Sequence, residues 1–121
     1  MDSQKEFFED LACSIDYWTD GLMDAVSNPE VDLVWTKNPD AFRRLGDVLR
    51  TSGVLDDCRT VARELLRGLI HSVLVTFDGG TALAEHVRLD IVDNNGRIFD
   101  KYLHELFYNA LFETGQMGEL S

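Results

Sequence analysis

The chain has 121 residues, 45% of them hydrophobic and 27% charged, and carries 22 acidic residues against 11 Lys plus Arg for a net charge of −11. One domain of this size buries roughly 65% of the surface of its unfolded chain, enough for a real core. The acidity argues against direct nucleic-acid binding, which needs a basic footprint, and against docking on an anionic membrane. No apolar run approaches the ~18 residues of a bilayer span. The start Met1-Asp2-Ser3-Gln4-Lys5-Glu6 lacks the apolar core of a signal peptide. Cys13 and Cys58 alone do not make a disulfide framework, so a reducing cytoplasm is the expected compartment.

Charge is uneven along the chain. Residues 1–40 hold ten acids and two bases, residues 41–70 four acids and six arginines, and residues 71–121 eight acids and three bases. No linker separates these stretches, so residues 1–121 are expected as a single domain with a frayed end at 116–121.

The first helix is expected over about residues 4–26. Ser3 and Glu6 have capping-box spacing, and Phe8, Leu11, Ile15, Trp18, Leu22, Ala25 and Val26 recur at helical intervals. Asn28-Pro29-Glu30 and Asn38-Pro39-Asp40 both have the form of a helix start, with Asn as cap and Pro in the first turn. Residues 31–35 read as a short turn. A second helix follows from about Asp40 to Thr51 with Phe42, Leu45, Val48 and Leu49 inward, and Gly53 stops it. The third begins near Asp56 or Asp57. Its apolar residues Val61, Ala62, Leu65, Leu66, Leu69, Ile70, Val73 and Phe77 cover more than a third of the circumference, which predicts the central, most buried helix. Residues 70–77 are rich in β-branched side chains; a strand is the alternative there, but the helical period does not slip at Gly68.

After Asp78-Gly79-Gly80-Thr81, read as a helix stop with a Thr cap for the turn 82–85, residues 86–92 alternate like a strand. Asp93-Asn94-Asn95-Gly96 is a turn signal, and Asp100 can cap a last helix over 101–113 that Gly115 ends. The expected class is therefore α+β, mostly α. About four helices surround a central third helix, with one small antiparallel hairpin over residues 86–99. Asp78 to Leu83, Asp93 to Gly96, Leu103 to Phe107 and Thr114-Gly115 together resemble a family of small bacterial proteins without assigned activity. That likeness covers the last third of the chain and implies no catalytic residue.

Chemistry is sparse. His104-Glu105 begins like the zinc-protease pattern, but Tyr108 stands where the second histidine belongs. Asp93 to Gly96 fails as a calcium loop because Arg97 and His104 occupy ligand places. No cofactor and no complete metal-ligand set is expected. The remaining enzyme-like group is Asp78, Glu85, His86, Asp90, His104 and Glu105, which would need the hairpin to fold over the last helix to gather a metal. Cys13 lies opposite the apolar stripe with no cation near it to activate its thiol.

The surface rows carry more. Glu9, Asp16, Asp20 and Asp24 lie opposite the apolar stripe of the first helix, where like charges at i, i+4 repel; they are a solvated face or a dock for a basic partner. Arg59, Arg63 and Arg67 form a row on the third helix, expected to pair with neighbouring carboxylates. His104, Tyr108 and Phe112 form a row off the main face of the last helix, either packed within the chain or a surface for a partner or a second copy forming a homodimer. Trp35 carries the same ambiguity. The leading expectation is a non-enzymatic acidic protein that docks a basic protein partner, in concrete form an immunity or antitoxin-like protein. The alternatives are a nucleic-acid mimic that inhibits a DNA-binding protein and a metal-dependent enzyme built on His86 and His104.

Overall fold

In the computed structural model, residues 2–113 are described, and they form four α-helices. These are α1 (Ser3–Ser27), α2 (Pro39–Ser52), α3 (Leu55–Phe77) and α4 (Leu103–Glu113), with a short 3₁₀ turn at Ala82–Glu85. The Thr114-Gly115 stop and the frayed end at 116–121 lie outside the described residues. No helix among the described residues is long and apolar enough to cross a membrane.

Each helix has a local cause. α1 starts at Asp2, whose Oδ1 accepts the Lys5 backbone N–H at 3.1 Å. Ser3 is therefore not the cap; its hydroxyl donates instead to Asp93 Oδ2 at 2.7 Å. α2 opens on Pro39 and closes at Gly53, whose left-handed φ of 70° lets the Val54 N–H reach back to Leu49 O at 3.1 Å. Asn38 makes no side-chain cap. Asn28 does not start a helix either: its Oδ1 accepts the Glu30 N–H at 2.9 Å, turning the chain at Pro29. α3 continues as helix through residues 70–77.

Two compact units divide the chain, one of residues up to Cys13 with those from Leu66 onward, the other Ser14–Leu65. In the first, Phe8, Leu74, Phe99, Leu103, Phe107 and Leu111 are buried, and the Phe8 and Phe107 rings meet at 5.6 Å. In the second, Ile15, Met23, Ala25, Val26 and Leu33 are buried together with Thr19, whose hydroxyl is satisfied by donating to Ile15 O at 2.7 Å. Gly46 is buried, and a Cβ there would stand 2.7 Å from Val26 O, which a glycine avoids.

The expected α+β class is not what the chain adopts. Among the described residues no strand forms; residues 86–99 contain one isolated antiparallel bridge, Val92 with Ile98. The reason is competition for backbone groups. Asp93 Oδ1 takes the N–H of Asn95 and of Arg97, and Lys101 Nζ donates to Leu89 O at 3.2 Å. The Arg97 N–H is thereby lost to a ladder, which stops at two bonds, Asp93 N–H to Arg97 O and Phe99 N–H to Ile91 O, both at 2.9 Å; Val87 and Leu89, both exposed, add no buried face to extend it.

The third helix is not the most buried one. Val61, Leu65, Leu69 and Val73 are exposed, Leu65 at 69%, while Leu74 is 1% exposed. On α2, Leu45 and Val48 are exposed too, and Trp18 of α1 stands outside the core at 54%.

Candidate partner-binding site

The acidic row of α1 divides. Asp16 Oδ1 accepts Arg63 Nη1 at 2.8 Å, and Arg63 is a buried residue. Asp20 Oδ1 accepts Arg59 Nη1 at 3.1 Å. Both arginines come from α3, so part of the row is held by the cations of the Arg59–Arg63–Arg67 row. Glu9 is an exposed partner of Lys5 at 4.0 Å, a pair of little energetic weight. Asp24 is exposed and has no ion pair among the described residues. It lies in the last turn of α1, at the negative end of the helix dipole, and that turn has no basic residue.

Beside Asp20 and Asp24 lies a concavity of about 360 Å³ lined by Tyr17, Trp18, Gly21 and Trp35 as well as the two carboxylates. Tyr17, Gly21 and Asp24 follow one another at i, i+4, i+7 on α1, and Trp18 flanks Gly21 at i, i+3, so one helix face presents ring, gap and acid together. Trp35 comes from the loop before α2, which buries Leu33 beside it in sequence. The rings form an edge-to-face series: Tyr17 to Trp18 at 5.7 Å, Trp18 to Trp35 at 6.2 Å, Trp35 to Phe42 at 5.0 Å. Trp35 remains 49% exposed despite these contacts. Gly21 has nothing within 4 Å of where a Cβ would be.

The second constellation joins Asp78 and His104. Asp78 is the remote cap of α4, accepting the backbone N–H of Leu103 at 2.8 Å and of His104 at 3.0 Å, while His104 Nδ1 lies 2.5 Å from its Oδ2. This displaces the expected cap: Asp100 instead pairs with Gln4, its N–H reaching Gln4 Oε1 at 2.9 Å. Tyr102, just before α4, takes φ 64°, a strained value for a residue with a ring. Burial alone pushes the Asp78 carboxyl upward, but the His104 ring and the two backbone donors outweigh it and hold it below the usual carboxylate range. The ionised carboxylate only accepts, so His104 Nδ1 carries the proton. His104 Nε2 is 4.0 Å from Glu105 Oε1, and the His71 ring stands edge-on to His104 at 5.2 Å.

A depression next to this pair is lined by His71, His104, Glu105, Tyr108 and Asn109, and none of these is a hydroxyl or thiol nucleophile of the Ser or Cys type. His86 and Glu85 are exposed on the turn after α3, and Asp90 pairs with Lys101. Among the described residues no group of three or more His, Cys, Asp or Glu is placed to share a metal ion. Tyr108 and Phe112 are exposed. Asp93 is held below the usual carboxylate range by the Ser3 hydroxyl first and the Arg97 N–H next, with smaller help from the Asn95 N–H and the Arg97 charge, against an opposing effect of burial. Both cysteines are free; Cys13 is exposed, and burial pushes the Cys58 thiol up.

Sequence reasoning placed Asp20 and Asp24 at this surface but missed Tyr17, Gly21 and His71. A glycine inside a helix, costly against alanine, was the available signal for the cleft. No family model, curated protein or solved structure matches the chain.

Proposed function

We propose that the chain is a non-enzymatic binding protein that docks a basic protein partner through the acidic, aromatic face of α1, in the manner of an immunity or antitoxin-like protein of the cytoplasm. The observation that supports this most is Asp24: an exposed carboxylate at the negative end of a helix, with no cation paired to it among the described residues, beside two half-exposed indoles. Carboxylate and dipole add there, in a chain whose net charge is −11. Aromatic rings are enriched at interface centres, and a carboxylate beside them supplies complementarity to a basic partner. The free cysteines accord with a reducing compartment.

The test is association with a basic partner recovered from host lysate, measured at low and high salt. The on-rate should fall as salt rises, and Asp24→Asn should slow it while leaving the melting curve unchanged. An on-rate indifferent both to salt and to Asp24→Asn overturns the proposal.

A further inference from the structure

We infer that the cleft between Tyr17, Trp18 and Trp35 receives one arginine side chain of the partner, its guanidinium lying on an indole face and hydrogen-bonded to the Asp24 carboxylate. This rests on the basic-partner proposal above and specifies its chemistry.

Three independent features of the cleft converge. The first is the rings. Tyr17 and Trp35 each stand nearly perpendicular to Trp18, with interplanar angles of 87° and 78°, so faces as well as edges are presented at the cleft. A cation is drawn to the face of an indole more than to any other ring. The second is Gly21. It stands in the interior of α1, where glycine weakens a helix, and no neighbour comes within 4 Å of the place a Cβ would take. Packing therefore does not require a glycine; any side chain there would project into the cleft. The third is charge. Asp20 already holds a guanidinium, that of Arg59, so this helix face accommodates the group, and Asp24 is left to take another.

Arginine fits better than lysine. Its planar, weakly hydrated head can stack on a ring and still offer its edge to a carboxylate, whereas an ammonium is a hydrated point charge. The hydrogen bonds to Asp24 are charge-assisted on both sides.

The chain has only two tryptophans, so its spectrum contains two indole N–H signals, and both report on this cleft. The probe is a short, otherwise neutral peptide with one arginine, compared with its lysine and citrulline counterparts; citrulline keeps the shape and loses the charge. Both indole signals should move saturably with the arginine peptide, several-fold more weakly with lysine, and not with citrulline. Gly21→Leu should abolish the shifts without lowering the melting temperature, since leucine is the better helix former. Asp24→Asn should weaken binding about tenfold, ~1.4 kcal/mol. Equal response to citrulline, or full binding by Gly21→Leu, overturns the inference. Silent indoles beside salt-sensitive partner binding overturn it while sparing the basic-partner proposal; salt-insensitive partner binding overturns that proposal instead.

Discussion

Asp78→Ala is the most informative single change for the architecture around α4. The wild-type carboxylate, in a side chain 4% exposed, satisfies two N–H groups at the start of α4 and orients the His104 ring. Loss of a cap costs about 1 kcal/mol, with a range of 0.5–2. Loss of the charged acceptor for the ring adds about 1.5–3 kcal/mol. The two overlap, so the expected loss is about 2–4 kcal/mol, or roughly 10 °C in melting temperature for a chain of this length. Asp78→Asn keeps one acceptor oxygen and should lose about half as much. The pH dependence has a definite sign. The folded carboxyl titrates below its unfolded value, which is near 3.9. Its contribution is fully present above that value and disappears as pH falls through the lower folded one. Wild type should therefore lose its advantage over Asp78→Asn in acid, below about pH 4. Urea unfolding of the three proteins at neutral pH and on acidification measures all of this. A loss under ~0.5 kcal/mol for Asp78→Ala, with unchanged hydrogen exchange at Leu103 and His104, would refute the cap.

Other expectations are simpler. Asp16→Asn should destabilise by about 1–3 kcal/mol in chemical unfolding, because it removes one charged acceptor from buried Arg63. Gly46→Ala should cost more than 1 kcal/mol by the same assay despite its better helix propensity, since the new Cβ would press on Val26 O at 2.7 Å and Val26 Cα at 3.1 Å, both backbone atoms. Leu65→Gln with Leu69→Gln should stay within about 0.5 kcal/mol of wild type per site, whereas Leu74→Ala should cost about 2–5 kcal/mol in parallel melts.

The contrast between Leu65 and Leu74 also marks where the sequence stops being legible. The two are nine residues apart, about 180° around a helix at 100° per residue. Apolar residues lie on both sides of α3, so periodicity identifies the helix and its length but not which side is inside. Composition suggested that all of them were core; the structure buries Leu74 and leaves Leu65 in solvent. The helix ends were legible where the signal was local and unopposed, as at Pro39 and Gly53. Caps supplied from afar were not: nothing near Leu103 in sequence points to Asp78, 25 residues earlier. The hairpin failed for a related reason. Alternation over residues 86–92 describes a strand that would need a second strand and a buried face, but Asp93 Oδ1 takes the Arg97 N–H and Val87 and Leu89 are exposed.

The acidic row was legible as a row but not as a division of labour. Repulsion along Asp16, Asp20 and Asp24 suggested a surface kept for a partner at the expense of stability. Two of the three turn out to face arginines of α3, so replacing all three with Asn would mix a loss of fold with any loss of binding. Asp24 is the member whose charge stabilises nothing in view: no cation among the described residues meets it, and the helix dipole opposes it by about 0.3–1 kcal/mol. Removing that charge should leave the fold as stable or slightly more so. A residue that costs stability, next to a helical glycine that also costs stability and two indoles left half in water, concentrates three unfavourable choices on one patch formed by α1 and the loop before α2. Each has an ordinary explanation alone; a bound cation relieves the charge, fills the gap and covers the rings at once.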